Sequence, residues 1–128
     1  MSAQTVAEKM HIQPGMKIGF FNAQANVDKL LGDIPDDVEV SQKLENTELD
    51  FILAFMEDRQ MLEAYLYSLK NAIADDGALW LAYHNDSASL DTDINRDIIH
   101  KYCKQLDLKG GAMVSINNDW TGLRFKKI

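Results

Sequence analysis

Cysteine occurs once in the 128 residues, at Cys103. A single thiol excludes an internal disulfide framework and any multi-cysteine zinc site. That usage fits a reducing compartment. Positive charge is also scarce: 13 Lys and Arg stand against 20 Asp and Glu, for a net charge of −7 and a pI near 4.8. Such a chain repels polyanions. Nucleic-acid binding needs clustered cations to displace counterions. The nearest cluster is Arg124, Lys126 and Lys127, too small for that purpose. Neither nucleic acid nor an anionic membrane surface is expected as a partner. No window approaches the ~18 apolar residues of a membrane span. The opening Met1-Ser2-Ala3-Gln4-Thr5 lacks the basic-then-apolar pattern of a signal peptide. The cytoplasm is the expected location. No repeat, low-complexity tract or internal linker interrupts the chain.

The length is that of one domain, residues 1–128, and 46% of the residues are hydrophobic. A chain of this size holds a core without disulfides or metal. Thr5 to His11 suggests a short helix, and Gln13-Pro14-Gly15 a turn. Lys17 to Phe21 reads as a strand that Asn22 ends. Ala25 to Leu31 suggests a brief helix stopped by Gly32. Pro35-Asp36-Asp37 is a turn and Val38-Glu39-Val40 a short strand. Leu49 to Phe55, apolar apart from Asp50, suits a strand buried on both faces. Asp58 is placed to cap a helix over 60–74, with a stripe at 62, 65, 66, 69 and 73. Asp75-Asp76-Gly77 is expected to end it. Ala78 to Tyr83 is a second buried strand, and His84 to Ser89 a polar loop. Asp91 or Thr92 is expected to cap a helix reaching about Leu106, which Gly110-Gly111 follows as a break. The end reads as a hairpin: Ala112 to Ile116, a turn at 117–119, then Trp120 to Lys126.

Strands alternating with helices imply crossovers and a mostly parallel sheet. The closing hairpin adds antiparallel pairing, common on such sheets. The expected fold is a compact Rossmann-like α/β three-layer sandwich.

The order of elements resembles the class I methyltransferase-type fold. The stretches that carry this are residues 12–18, 50–55, 69–81 and the terminal hairpin. More specifically, the chain resembles a bacterial family of small conserved domains of unknown function. The matching residues are Asn22-Ala23, Gly77-Ala78-Leu79-Trp80, Thr92-Asp93 and Trp120-Thr121-Gly122-Leu123-Arg124-Phe125. The chain departs from that family at Tyr83-His84-Asn85, where relatives often have Trp-Pro-Lys, and near Ala112, where relatives often have lysine. The resemblance implies a fold and no activity.

Cofactor-binding turns in such folds usually carry glycine, which lets backbone approach the ligand. Here Asn22-Ala23-Gln24-Ala25-Asn26 has none. At the end of the second strand, where an acid usually holds the ribose, stand Ser41 and Gln42. The expectation is a domain without cofactor, with S-adenosylmethionine as the alternative. His100 and Cys103 have a ligand-compatible i, i+3 spacing, yet Cys103 falls on the apolar stripe and reads as core. Asp91-Thr92-Asp93-Ile94-Asn95 has Arg96 where a calcium loop needs glycine, so it reads as a helix start. No metal is expected.

Residues just past the carboxyl ends of strands line the crevice of open α/β sheets. Asn22, Met56-Glu57 and His84-Asn85-Asp86 belong there. The bland alternative is that Asn22 and His84 merely end strands. Alternation places Trp120, Gly122 and Arg124 on one face, where an indole, a bare backbone and a guanidinium could grip a flat or anionic ligand. The alternative is that Trp120 packs on the sheet and Arg124 pairs with an acid.

The candidate ligand-binding residues are therefore Asn22, His84, Asn85, Trp120 and Arg124. The leading expectation is a non-catalytic domain that binds a small molecule or a protein partner. The alternatives are a divergent S-adenosylmethionine-dependent methyltransferase, with His84 as general base, and an interaction module using the terminal hairpin, where a homodimer has its place.

Overall fold

The computed structural model describes residues 5–22, 31, 32, 34, 37–41, 48–84, 94–117 and 119–128. The order of elements is α1 (Val6–Lys9), β1 (Lys17–Phe21), β2 (Glu39–Ser41), β3 (Leu49–Phe55), α2 (Arg59–Ala72), β4 (Ile73–His84), α3 (Arg96–Gln105), β5 (Leu108–Ser115) and β6 (Trp120–Lys127). The six strands form one sheet in the order β2-β1-β3-β4-β6-β5. The first four run parallel, while β6 pairs antiparallel with both β4 and β5. The hairpin thus folds back so that its second strand enters the sheet and β5 takes the edge.

The apolar runs of β3 and β4 lie in the middle of this sheet, which explains why they do not alternate. On one face Ile52, Ala54, Leu79, Leu81, Leu123 and Phe125 meet Leu62, Leu66 and Leu69 of α2 and Ile99 and Cys103 of α3. On the other face Ile18, Phe51, Leu53, Phe55, Trp80 and Trp120 meet Ala7, Met10, Ile12 and Leu31. Burying each large side chain contributes roughly 1.5–3 kcal/mol. The two apolar faces are what make a three-layer sandwich. Among the described residues, no helix is long and apolar enough to cross a membrane.

The helix ends follow capping chemistry. Thr5 caps α1 by accepting from the Glu8 N–H at 3.1 Å. Asp58 caps α2 through the Met61 N–H at 2.8 Å, as its sequence position suggests. The cap of α3 is Asn95, which accepts from the Ile98 N–H at 2.9 Å. The helix therefore starts at Arg96, later than a cap at Asp91 or Thr92 predicts. A short amide side chain beside the first apolar turn satisfies the orphan donors there.

Other boundaries differ from the sequence reading as well, and His84, expected in a loop, is the last residue of β4. The second strand is Glu39–Ser41, one residue later than expected. Helix α2 stops at Ala72, and Asp75-Asp76-Gly77 lies within β4. There the register of β3 and β4 jumps between the Leu49↔Ile73 and Phe51↔Ala78 pairs, so these polar residues form a bulge and no separate turn. Tyr65 of the expected stripe is 45% exposed and packs on Phe21, with 4.8 Å between centroids. Gly110-Gly111 likewise lies inside β5, at a register shift against β6. The turn out of α3 is made earlier, at Asp107, with φ 58°.

Of the expected helix Ala25 to Leu31 all but Leu31, the Pro35-Asp36 part of a turn, Gln42, the expected loop beyond His84, Asp91, Thr92 and Asn118 lie outside the described residues. The Asn22 strand end is found as expected.

Candidate functional site

Strands β2 and β3 flank β1 on opposite sides, so the strand order reverses between β1 and β3. In open α/β sheets, ligands bind beyond the carboxyl ends of strands at this reversal. Because β6 is antiparallel, its first residue reaches the same edge as the last residue of β4.

At the reversal, Asn22 leaves β1 with φ 53°, in the left-handed region that asparagine tolerates better than most residues. This turn sends its side chain across to β3. The Asn22 amide donates to the Phe55 carbonyl at 2.9 Å, to Glu57 Oε1 at 3.4 Å and to Met61 Sδ at 3.7 Å. On the far side of β3, the Met56 N–H donates to the Ala82 carbonyl at 2.8 Å. The ends of three strands are thus tied together.

His84 closes β4 and stands directly opposite Trp120. Their ring centroids are 3.8 Å apart, with 33° between planes. Trp120 and Phe55 also meet edge to face, at 5.0 Å and 89°. The hairpin turn fixes Trp120: its N–H and that of Asp119 both donate to Asn117 Oδ1 at 2.8 Å. His84 Nδ1 is buried and has no hydrogen-bond partner among the described residues. A buried polar atom of this kind can hold a ligand group that supplies the missing bond.

Trp120, Gly122 and Arg124 do share one face, opposite His84, Ala82 and Trp80. Trp120 is 5% exposed. Gly122 is covered by Met10, whose Cε would lie 3.0 Å from an added Cβ. Arg124 stands four residues further along, about 14 Å from Trp120 at ~3.4 Å per residue. The structure therefore has Asn22, His84 and Trp120 at the carboxyl edge and places Arg124 in mid-sheet, level with Trp80 and Leu53, where its side chain lines a cleft toward the amino edge. Asn85 lies outside the described residues.

Cys103 is fully buried, and burial pushes its thiol up to about 12. His100, three residues away, is exposed and lies against the Phe125 ring at 5.0 Å. Among the described residues, no three His, Cys, Asp or Glu side chains are grouped as metal ligands would be.

A cleft of about 540 Å³ opens beside the first turn of α3, with Tyr83, Thr121 and Ser115 in a row across β4, β6 and β5. The sequence reading missed it. Tyr83 and Thr121 are visible as strand residues, but only the antiparallel register sets them opposite one another.

No family model and no curated protein matches this sequence. Solved structures do match. A TehB-like SAM-dependent methyltransferase from Corynebacterium glutamicum superposes with a TM-score of 0.63 and 12% identity, over 95% of this chain and 85% of that one. A ribosomal protein L11 methylase from Lactobacillus delbrueckii subsp. bulgaricus gives 0.62 and 12%, over 94% and 74%. A complex of DhpI with SAH gives 0.61 and 11%, over 95% and 82%. At such identities the likeness is one of fold: the chain has a methyltransferase-like Rossmann fold that closes on an antiparallel strand pair.

Proposed function

We propose that this domain is a non-catalytic binding module whose ligand, a flat small molecule, sits at the carboxyl edge of the sheet. The observation that carries this reading is the stacked His84–Trp120 pair, with its unsatisfied buried Nδ1, close to the point where the strand order reverses. The buried Trp120 holds the imidazole in place as a rigid apolar backing, and the imidazole offers the directional bond. Asn22 ends its strand at the reversal, and Asn85 follows His84 in the chain. The chain's resemblance to small bacterial domains of unknown function, strongest around Trp120, agrees with this. Its acidic charge agrees with a cytoplasmic protein whose partners are neither nucleic acid nor membrane.

The second reading is a divergent S-adenosylmethionine-dependent methyltransferase, with His84 as general base. It is favoured by the neighbours in fold, which include SAM-dependent methyltransferases and a complex with SAH. A third, a protein-interaction module or homodimer formed through the terminal hairpin, draws on the edge position of β5.

The test is a thermal-shift panel of S-adenosylmethionine, S-adenosylhomocysteine, nucleotides and small anions. A ligand at ~100 times its Kd adds about 2.7 kcal/mol, a rise of several degrees for this size. Binding that Trp120→Leu or His84→Ala removes supports the carboxyl-edge site. A flat response across the panel refutes a ligand of these classes. Methyl transfer abolished by His84→Ala would replace the first reading with the second.

A further inference from the structure

We propose that a second cleft, at the amino edge of the sheet, binds a small zwitterion of the α-amino-acid type. It lies at the opposite end of the strands from the site above and does not depend on that reading. The cleft measures about 210 Å³. At ~30 Å³ per water, this is room for about seven waters, or one small metabolite. Its lining includes Phe51 and Ala78 of the sheet and Met10 and His11, which follow α1.

Four irregularities of the sequence converge on this one place. Asp50 is the lone polar residue of the apolar strand β3, and its Oδ2 accepts from the Lys17 N–H at 3.0 Å. The bulge in β4 brings Asp76 to the mouth. Lys127 steadies that bulge by donating to the Ile73 carbonyl at 2.7 Å. His11 is presented by a backbone at φ 63°, a conformation that L side chains rarely adopt. Gly111, at the register shift in β5, leaves the space where the Arg124 guanidinium lies: an added Cβ would stand 2.8 Å from its Nη2.

The charges are sorted across the cleft. Asp50 and Asp76 come from β3 and β4, while Arg124 and Lys126 come from β6. Neither cation pairs with either carboxylate among the described residues, although all four line one small space. Asp76 stands on β4, the neighbour of β6 at ~4.8 Å, and Asp50 on β3, one strand further at about 10 Å, so the two carboxylates face the cations from two distances. A ligand carrying both a carboxylate and an ammonium satisfies both walls at once: the carboxylate takes charge-assisted hydrogen bonds from Arg124 and Lys126, and the ammonium gives them to Asp50 and Asp76. The apolar part of the lining, Phe51, Ala78, Met10 and Met16, suits a short side chain.

The experiment is an amide-resolved NMR titration of the full chain with a panel of L-α-amino acids, beside propionate and ethylamine, which carry one charge each. At least one amino acid should move the amides of His11, Ala78 and Gly111, and bind more tightly than either single-charge probe. Arg124→Gln and Asp76→Asn should each raise its Kd by about tenfold or more, with Tyr67→Ala, on the exposed side of α2, leaving it unchanged. Asp76 is exposed, so its variant keeps the test open if Arg124→Gln unfolds. The proposal falls if no amino acid moves these amides at millimolar concentration, if propionate binds as tightly as the zwitterions, or if Asp76→Asn binds as the parent does.

Discussion

The side-chain amide of Asn22, at the end of β1, donates to the backbone carbonyl of Phe55, at the end of β3, across 2.9 Å. Asn22 does this from a left-handed backbone. The residue combines two demands: a conformation most side chains resist, and a donor that reaches the neighbouring strand. Replacing it separates them. Asn22→Ala loses the bond and keeps the strained backbone, so about 1–3 kcal/mol of stability should be lost. Asn22→Gly loses the bond alone and should lie about 1 kcal/mol above the alanine variant. Urea titration of both measures the difference, and equal midpoints would show that the backbone is not strained here.

Trp80 is completely buried, and its indole N–H has no acceptor among the described residues. A buried donor left unsatisfied costs roughly 1–3 kcal/mol. Trp80→Phe removes that cost while losing part of the packing, so its net effect should stay within about 1.5 kcal/mol. Trp80→Ala opens a cavity and should cost about 3–5 kcal/mol. Chemical denaturation separates the two, and a phenylalanine variant as damaged as the alanine one would mean the N–H is paired in solution.

The glycines of β4 and β6 are tight for different reasons. A Cβ on Gly77 would lie 2.7 Å from the Leu49 carbonyl oxygen, which is backbone and cannot swing away. A Cβ on Gly122 would meet only side chains, with Met10 Cε nearest at 3.0 Å. Methionine adapts easily to such a neighbour. Gly77→Ala should therefore lower the Tm clearly more than Gly122→Ala, for which about 1–2 kcal/mol is expected. The reverse order in a pair of thermal melts would contradict the packing at the bulge.

Burial raises the Cys103 thiol from 9.0 to about 12. Between these values the unfolded chain has lost a proton that the folded chain keeps. Stability contributed by this group is thus complete below pH 9 and declines as pH rises toward 12, by about 1.4 kcal/mol per unit. A Cys103→Ala variant should lack that slope, so the difference between the two stability curves isolates it. In the native protein, an aromatic disulfide reagent should react at pH 8 only as fast as the chain opens, since the thiolate is the nucleophile.

Much of the frame was legible before folding. The run from Leu49 to Phe55 is too uniformly apolar for a strand with a wet face, and it is the buried β3. Asp58 sits just before a periodic apolar stripe, and it caps α2. Both follow from local rules: what a residue prefers within a few neighbours, and which side of an element must leave water. The acidic balance and the solitary Cys103 are equally properties of the sequence itself.

Tertiary structure decided the rest. Alternation put Trp120 and Arg124 on one face, but only the antiparallel register against β4 set Trp120 beside His84 at the carboxyl edge and Arg124 beside Trp80 in mid-sheet. Asp75-Asp76-Gly77 carries every local mark of a turn, yet pairing with β3 absorbed it as a bulge. Gly110-Gly111 reads as a break, yet it lies in an edge strand where the Arg124 guanidinium needs the room. Strand pairing joins residues far apart in the chain, and its energy comes from hydrogen bonds and contacts that no local window contains. A sequence therefore sets which segments can be strands and helices, while the register between them sets which side chains meet.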